Sequence, residues 1–479
     1  MQNNLGKLQI FSIINENAQS KKRIDVEYYQ PFFEDVVLKV AGSKFELQKL
    51  EDVTVLISNG RTPSKDMYDE NNNQGSMPII KAGTASGYFV DLEKLKYVKV
   101  DFSGGKKAQK DDIFILSAAH QASYVGKNVS ILNIKPPQGT CFVGELICVR
   151  ADLKKVLPEY LFGFLSSKIG YLLLNREKRG QTSHIYPNDI KDILLPIPSL
   201  KKQKSIVAIL NKAYEEKRKK EEEIKIILAK INNFVLDELN IDMPRGGAEK
   251  VFQIWSDEIK GRIDPFFYKP YFQNLIAEIM KQKHFTLGEA LIEMSGGATP
   301  KVTGDYYLDE GGVPFLRVQN ITQMGINLDG VKFIKPEVHK TMLKRSQLKK
   351  DDLVFTIIGR PGTVSIIPDN FEGNISQNSV RFHLRDKVEN TKIFPEYVAV
   401  FLNTKVGKGL SLRWTAGGAQ PALNADIVKK LIVPLPSVAK QEKIVAEVKI
   451  IYEKAKQLSQ EAENVIITAQ KEIEQIILM

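Results

Sequence analysis

Histidine and cysteine are both scarce in this chain, with 5 and 2 copies among 479 residues. That removes the usual ligands of soft metal sites, and Cys141 and Cys148 have no neighbouring Cys or His at zinc-site spacing. Two cysteines cannot form a disulfide framework, so the chain is expected to be reduced and cytoplasmic. No apolar run reaches the roughly 18 residues of a membrane span. The stretch from Met1 to Ile14 lacks a basic region, a long apolar core and a small-residue cleavage site. No membrane partner and no metal are therefore expected. Neither G-x-G-x-x-G after a strand nor G-x-x-x-x-G-K-[ST] occurs, which excludes the common phosphate cradles. The G-x-S-x-G elbow is missing. So is any Asn-Pro-Pro-aromatic or Asp-Pro-Pro-aromatic tetrapeptide of the amino-methyltransferase kind, since Pro136-Pro137 has neither flank. Asp242 with Glu258-Ile259-Lys260 imitates a nuclease carboxylate pair, an arrangement that arises by chance in a chain with 26% charged residues. Cys141 and Cys148 suit ordinary strand positions better than a nucleophile. No catalytic residue is nominated, and the chain is expected not to be an enzyme by itself.

The remaining composition is that of a folded protein, with 43% hydrophobic residues. Lys and Arg number 68 against 57 Asp and Glu, a formal charge of +11 and a pI near 9.2. A basic balance favours nucleic acid, because neutralising phosphates releases counterions and supplies sequence-independent affinity.

The chain is also written twice. Arg23-Ile24-Asp25, followed by Tyr28-Tyr29-Gln30-Pro31-Phe32-Phe33, returns as Arg262-Ile263-Asp264, followed by Phe267-Tyr268-Lys269-Pro270-Tyr271-Phe272. Pro196-Ile197-Pro198-Ser199 with Gln203 and Ile206-Val207 returns as Pro434-Leu435-Pro436-Ser437 with Gln441 and Ile444-Val445. The shift is 262 − 23 = 239 at the first pair and 434 − 196 = 238 at the second. Solenoid repeats are roughly 20–50 residues long, so this is a whole domain and its connection, duplicated.

Each copy has short β-rich runs between Gly, Pro and Asn turns, then helical patterns. In the first copy the strands lie near Pro78–Lys81, Asp112–Leu116, Val129–Leu132 and Leu146–Val149, with helices near Phe32–Val40 and Pro158–Asn175. In the second they lie near Val313–Val318, Asp352–Ile358 and Val380–Leu384, with a helix from about Pro395 to Thr404. The fold class is α+β, used twice. After each Pro-x-Pro-Ser stop the period changes to that of a coiled-coil seam. Ile206, Leu210, Ile224 and Ile231 mark it in the first copy, with a polar break at Lys217 and Lys220 and an end at Phe234 and Glu238. Ile444, Val448, Ile451, Leu458 and Val465 mark it in the second, running on to Glu472 and Ile476. Ser199 and Ser437 stand at the N-cap positions. Each helix would be roughly 50–60 Å long, and the economical burial packs the two antiparallel in one chain. The expected divisions are a globular part at 1–198, a helix at 199–240, a linker at 241–255, a second globular part at 256–436 and a second helix at 437–479.

Polar loops hold the binding candidates. Gly60-Arg61-Thr62-Pro63 is matched by Gly297-Ala298-Thr299-Pro300; glycine permits tight backbone and Thr-Pro forces an extended run. The motif suits a turn that organises the domain as well as it suits a ligand contact. Arg61 within it is a DNA-binding candidate, and Lys65 and Lys301 just beyond it are better candidates for phosphate contact. A second loop, Arg176–His184, is matched by Arg413–Gln420. Arg179, Gln181, His184, Arg413 and Gln420 in these loops are candidates for base edges, since Arg, Gln and Asn offer paired hydrogen bonds there. Lys81, Lys106, Lys107, Arg317, Gln319, Asn320, Arg345 and Arg360 complete the DNA-contacting set. The basic clusters among them suit a solvated face as well as phosphate positioning.

Taken in order and twice over, these features resemble the specificity subunits of Type I restriction–modification systems across nearly the whole chain. The residues that carry the likeness are Gly60–Pro63 and Gly297–Pro300, the Pro-Glu-Tyr helix starts at Pro158–Tyr160 and Pro395–Tyr397, and the two Pro-x-Pro-Ser stops. The resemblance implies that each globular part is a target recognition domain reading one half of a split double-stranded DNA site. It implies that the helices fix the spacer and dock two methyltransferase subunits, which carry S-adenosylmethionine and methylate adenine, and through them restriction subunits. The halves differ in sequence, so the half-sites should differ too, unlike those of a symmetric dimer. Two other classes remain beside it. A coiled-coil scaffold would bind duplex DNA weakly and without sequence preference. A free-standing restriction–modification enzyme would need the motifs that are missing.

Overall fold

Short runs of Ile, Val, Phe and Leu bounded by turn residues become strands buried on both faces. In the computed structural model the described residues are 23, 25–69, 75–99, 106–119, 124–180, 183–244, 251–259, 261–301, 303–415 and 422–478. They form two compact units, one of residues 1–220 with 461–479 and one of residues 221–460. Each unit takes one globular part together with a section of both long helices, whereas the sequence divisions had set the helices apart.

In the first unit, helix α1 (Pro31–Ala41) starts on a proline, whose fixed φ suits a first helical turn, and buries Phe33, Val36 and Val40. Strands β1 (Leu47–Lys49), β2 (Thr54–Asn59), β3 (Met77–Ile80), β4 (Lys96–Val98), β5 (Ile113–Leu116), β6 (Val129–Ile131), β7 (Cys141–Phe142), β8 (Leu146–Ala151) and β9 (Leu194–Pro196) follow. The central sheet is antiparallel in the order β2-β8-β5-β6, and a smaller sheet runs β4-β3-β7. Side chains alternate across the central sheet. Ile113, Ile115, Ile147 and Val149 face a helical layer, while Phe114, Leu116, Leu146 and Cys148 pack on Ile79, Ile80 and Phe142 of the smaller sheet. Layers on both sides explain why these strands read as continuous apolar runs. Cys141 and Cys148 are buried strand residues, and burial pushes both thiols up, Cys148 the further.

The single helix expected over Pro158–Asn175 is two, α2 (Pro158–Leu165) and α3 (Lys168–Arg176). Ser167 caps the second, its hydroxyl accepting from the Gly170 amide at 3.1 Å. A Cβ on Gly170 would lie 2.1 Å from the Phe164 carbonyl, so only glycine lets the helices approach this closely. The periodicity ran through the break because both helices bury the same apolar face.

The second unit repeats the plan. Its elements include α5 (Pro270–Met280), β10 (His284–Thr286), β11 (Leu291–Gly296), β12 (Tyr307–Leu308), β13 (Val313–Leu316), β14 (Lys332–Ile334), β15 (Leu353–Thr356), β16 (Val364–Ile366), β17 (Asn374–Ile375) and β18 (Ser379–Leu384). Helices α6 (Pro395–Asn403) and α7 (Lys405–Arg413), strand β19 (Ile432–Pro434) and helix α8 (Val438–Leu478) complete it, and α4 (Leu200–Glu238) is the other long helix. The central sheet runs β11-β18-β15-β16 and the second sheet β12-β14-β13-β17. Thr404 caps α7 as Ser167 caps α3.

The long helices pair antiparallel inside each unit. In the first, Ile206, Val207 and Leu210 share a core with Ile473 and Ile477, and Lys220 Nζ reaches Glu461 Oε2 at 2.7 Å. In the second, Ile231, Val235 and Leu236 share a core with Ile444 and Val448, and Lys443 bonds Glu238 at 2.7 Å. Ile224, Ile451 and Val465 are half-buried, and Leu458 is buried. Two ends depart from the expected seam: Val235 and Leu239 are buried where Phe234 and Glu238 were expected, and Ile473 and Ile477 where Glu472 and Ile476 were. These ends pack on globular cores as well as on the partner helix, so the buried stripe follows the straight-helix period.

The repeated Pro-x-Pro stop closes each globular part. Pro196 pairs with Leu47 and Pro434 with His284, each across a two-stranded ladder. Ser199 Oγ accepts from the Lys202 amide at 3.4 Å, whereas at Ser437 the backbone carbonyl accepts from Lys440 and Gln441. Fully buried Gln203 accepts from the Leu157 amide at 2.8 Å and donates to the Lys155 and Pro198 carbonyls. Gln441 does the same with the Phe394 amide at 3.1 Å and the Lys392 and Pro436 carbonyls. One amide side chain thus ties helix start, stop and α6 together. Gln441→Leu would leave three part-buried backbone groups without this partner, at a cost of about 1–3 kcal/mol, readable as a lower urea midpoint with an unchanged slope.

Candidate nucleic-acid interface

The turn with Gly-x-Thr-Pro hangs from the end of β2 or β11. Gly60 donates to the Leu146 carbonyl at 3.3 Å and Arg61 to the Phe142 carbonyl at 3.0 Å. Thr62 Oγ1 accepts from the Gly144 amide at 2.9 Å and donates to Glu145 Oε2 at 2.6 Å. In the second unit, Gly297 donates to the Ser379 carbonyl at 3.0 Å and Thr299 Oγ1 accepts from the Gln377 amide at 3.3 Å. A Cβ would meet the Phe142 carbonyl oxygen at 2.0 Å from Gly60, or the Ser376 oxygen at 2.2 Å from Gly297. Glycine and threonine are therefore spent on the turn, and the exposed side chains beside it, Arg61, Lys65 and Lys301, are left to face outward.

Three further segments meet that turn at the same end of the sheet. One is the approach to β8 or β18, residues 143–146 and 376–379. A second follows β5 or β15: Ser117 donates to the Glu145 carbonyl and Ile357 to the Asn378 carbonyl, both at 2.9 Å. The third is the loop after α3 or α7. Ile185 donates to the Ser117 carbonyl at 3.0 Å and Leu423 to the Ile357 carbonyl at 2.8 Å. Arg179 and His184 close that loop in the first unit by exchanging backbone hydrogen bonds at 2.8 Å. Exposed Arg360 sits on the rim in the second, where its carbonyl accepts from Thr356 Oγ1 at 2.5 Å. Half-buried Lys81 lies over the Tyr68 ring at 4.6 Å, just beyond the Ile80 to Phe142 pairing that carries the turn. The rim carries Arg61, Lys65 and Lys81 in the first unit and Lys301 and Arg360 in the second.

Other candidates stand elsewhere or are occupied. Lys106 and Lys107 are exposed on the small sheet, where Lys107 Nζ donates to the Gly139 carbonyl at 3.1 Å. Arg179 is paired with Asp189 at 2.5 Å, and the His184 ring stacks on Tyr186 at 6.2 Å. Exposed Arg345 neighbours the Arg381 cluster, its carbonyl accepting from Arg381. Gln319 is exposed. Gln181 and Gln420 lie outside the described residues.

Three of the candidates are engaged within the fold. Asn320 is fully buried, accepting from the Arg317 amide at 3.0 Å and donating to the Asn327 carbonyl at 2.9 Å. Arg317 donates to the Gly330 carbonyl at 2.9 Å, so both hold the 317–330 loop closed. Arg413 lies 3.8 Å over the Phe267 ring and donates to the Phe267 carbonyl at 3.0 Å. Its counterpart Arg176 lies 4.2 Å over Tyr28 and bonds the Tyr28 carbonyl. Each arginine clamps the segment that opens its globular part. Arg23 and Arg262 complete this clamp, bonding Asp25 and Asp264 at 2.6 and 2.7 Å. Burial lowers the Arg413 guanidinium and brings the Lys178 amine down to about 8.

Among the described residues no group of three His, Cys, Asp or Glu side chains could hold a metal ion. No helix among them is long and apolar enough to cross a membrane.

Comparison with known proteins adds a family. The model described as "Type I restriction modification DNA specificity domain" matches residues 42–226 and again 280–467. The chain is 23% identical over 434 residues, 88% of its length, to the putative type I restriction enzyme MjaX specificity subunit of Methanocaldococcus jannaschii, covering 90% of that protein. It is 22% identical over 434 residues to the EcoKI specificity subunit of Escherichia coli, 86% of this chain and 83% of that one. To the EcoBI specificity subunit of Escherichia coli it is 26% identical over 155 residues, 32% of each chain.

Proposed function

The chain belongs to the Type I restriction–modification DNA specificity family, and from that premise we propose that it supplies the sequence specificity of a Type I restriction system. Each globular part reads one half of a split, asymmetric DNA site through its cationic rim. Two methyltransferase subunits carrying S-adenosylmethionine dock on the frame and methylate adenine, and restriction subunits join through them. The paired helices keep the two half-sites at constant separation. One observation carries this reading: the same hydrogen-bonded frame occurs twice, around loops whose side chains differ. Two rigid readers of unlike chemistry in one polypeptide suit two unlike half-sites, since base edges specify and phosphates only position.

The test is to map methylated adenines in DNA modified by this chain together with its methyltransferase partner. Two short, different motifs at a fixed gap support the proposal, and a contiguous motif or random modification counts against it. The scaffold reading predicts binding that ignores sequence. Lys65→Ala and Lys301→Ala should each weaken binding to all duplexes alike and lower the slope of log affinity against log salt by about 1. A change confined to one sequence would remove these lysines from the phosphate-contacting set.

A further inference from the structure

Glu145 and Asn378 occupy one and the same place in the two copies. The Glu145 carbonyl accepts from Ser117 and the Asn378 carbonyl from Ile357, both at 2.9 Å. The residue before each, Gly144 or Gln377, donates its amide to the threonine of the Gly-x-Thr-Pro turn. The residue after each, Leu146 or Ser379, accepts from the glycine of that turn and donates to the residue three positions back. In both copies the next residue pairs across the sheet, Ile147 with Asn59 and Val380 with Gly296. The backbone on either side is thus fixed alike, by partners that the repeat retains.

Only the side chain differs, and the difference is one of base chemistry. Glu145 keeps one carboxylate oxygen on Thr62, which aims the group, while Oε1 has no hydrogen bond among the described residues. The Asn378 side chain makes none among them either. Both residues are half-exposed; Glu145 bonds Thr62, the residue after Arg61, and the Asn378 carbonyl accepts from the Ile358 amide at 3.3 Å, two residues before Arg360. A carboxylate accepts from the amino group of cytosine, whereas an asparagine amide pairs with the N6 and N7 edge of adenine. A carboxylate among phosphate-binding cations repels the backbone unless it meets a base donor.

We propose that Glu145 and Asn378 are the equivalent base-reading residues of the two globular parts, Glu145 accepting from a base amino group and Asn378 pairing with an adenine edge. The assignment rests on the specificity reading above. The two residues determine one position in each half-site, and exchanging them changes letters without moving the frame.

The experiment is adenine-methylation mapping with the full chain and its methyltransferase partner, comparing the unaltered protein with Glu145→Gln, Glu145→Asp and Asn378→Asp. Each Glu145 variant should lose roughly 10- to 100-fold of its preference at one base pair of one half-site, leaving the other half-site and the gap unchanged. Asn378→Asp should do the same in the opposite half-site. A split motif that stays identical in all three variants overturns the assignment and leaves the specificity reading intact. Loss of modification at both half-sites marks these residues as framework and overturns it equally. If the unaltered protein gives no split motif, the specificity reading fails, and this assignment with it.

Discussion

Arg381→Met should destabilise the second unit by about 3–5 kcal/mol, the cost of leaving a buried charge unpaired. The Arg381 side chain is 6% exposed and bonds Glu293 Oε1 at 2.7 Å and Asp352 Oδ2 at 3.1 Å. Asp352 is fully buried and also takes the Lys349 amide at 3.0 Å and His383 Nδ1 at 2.9 Å. Methionine fills much of the space but takes the guanidinium away from the buried Asp352 carboxylate, leaving it the Lys349 amide and His383. Chemical denaturation checks this: the midpoint should fall in the single variant, and Arg381→Met with Asp352→Leu should recover much of the loss. An unchanged midpoint would show that the pair contributes nothing. Acid adds a second readout. Hydrogen bonds from Arg381 and Lys349 hold the Glu293 carboxyl down at about 2, below its ordinary 4.5. A depressed folded value gives stability that is present above the ordinary value and is lost as pH falls through the folded one. Without Arg381 that loss should be smaller and should be complete at a higher pH. The first unit has a smaller version of the cluster, with Arg150 on Asp112 at 2.6 and 2.8 Å.

Gly297→Ala should reduce specific DNA binding by roughly 100-fold, while Gly296→Ala, one residue earlier, should leave it unchanged. A Cβ on Gly297 would fall 2.2 Å from the Ser376 oxygen and 2.4 Å from the Ile375 oxygen. Both contacts are backbone, so no rotamer change relieves them, and the turn must move away from β17. Nothing lies within 4 Å of a Cβ built on Gly296. Because the damage stays at the rim, helical circular dichroism should be unaltered in both variants. Binding that is equally intact in both would show that the turn has no part in recognition.

The two units show where sequence patterns suffice. The Arg-Ile-Asp openings, the Pro-x-Pro stops and the glutamines four residues past the serine stood out because they recur at shifts of 239 and 238. In the structure Arg23 and Arg262 bond Asp25 and Asp264, the Pro196 and Pro434 carbonyls accept from Tyr160 and Tyr397, and Gln203 and Gln441 bond the Leu157 and Phe394 amides. The α2–α3 break stayed hidden because Ser167 caps a helix inside an unbroken apolar pattern. Arg413 looked like a base reader because a cation in a polar loop carries no mark that an aromatic ring lies beneath it.

Glu145 and Asn378 were passed over for a different reason. Their separation is 378 − 145 = 233, not 238 or 239, because the loops between the anchors differ in length. Only the ladder, with Ile147 on Asn59 and Val380 on Gly296, puts them in register.

The sequence by itself determined the duplication, the α+β class, the long antiparallel helices and the places where each globular part opens and closes. These depend on local chemistry and periodicity, which are written along the chain. Tertiary structure alone decided which polar side chains reach the rim and which are consumed by the frame. That choice depends on what folding brings beneath or across from each side chain, as Phe267 comes to lie under Arg413 from 146 positions away, and the local pattern does not carry it.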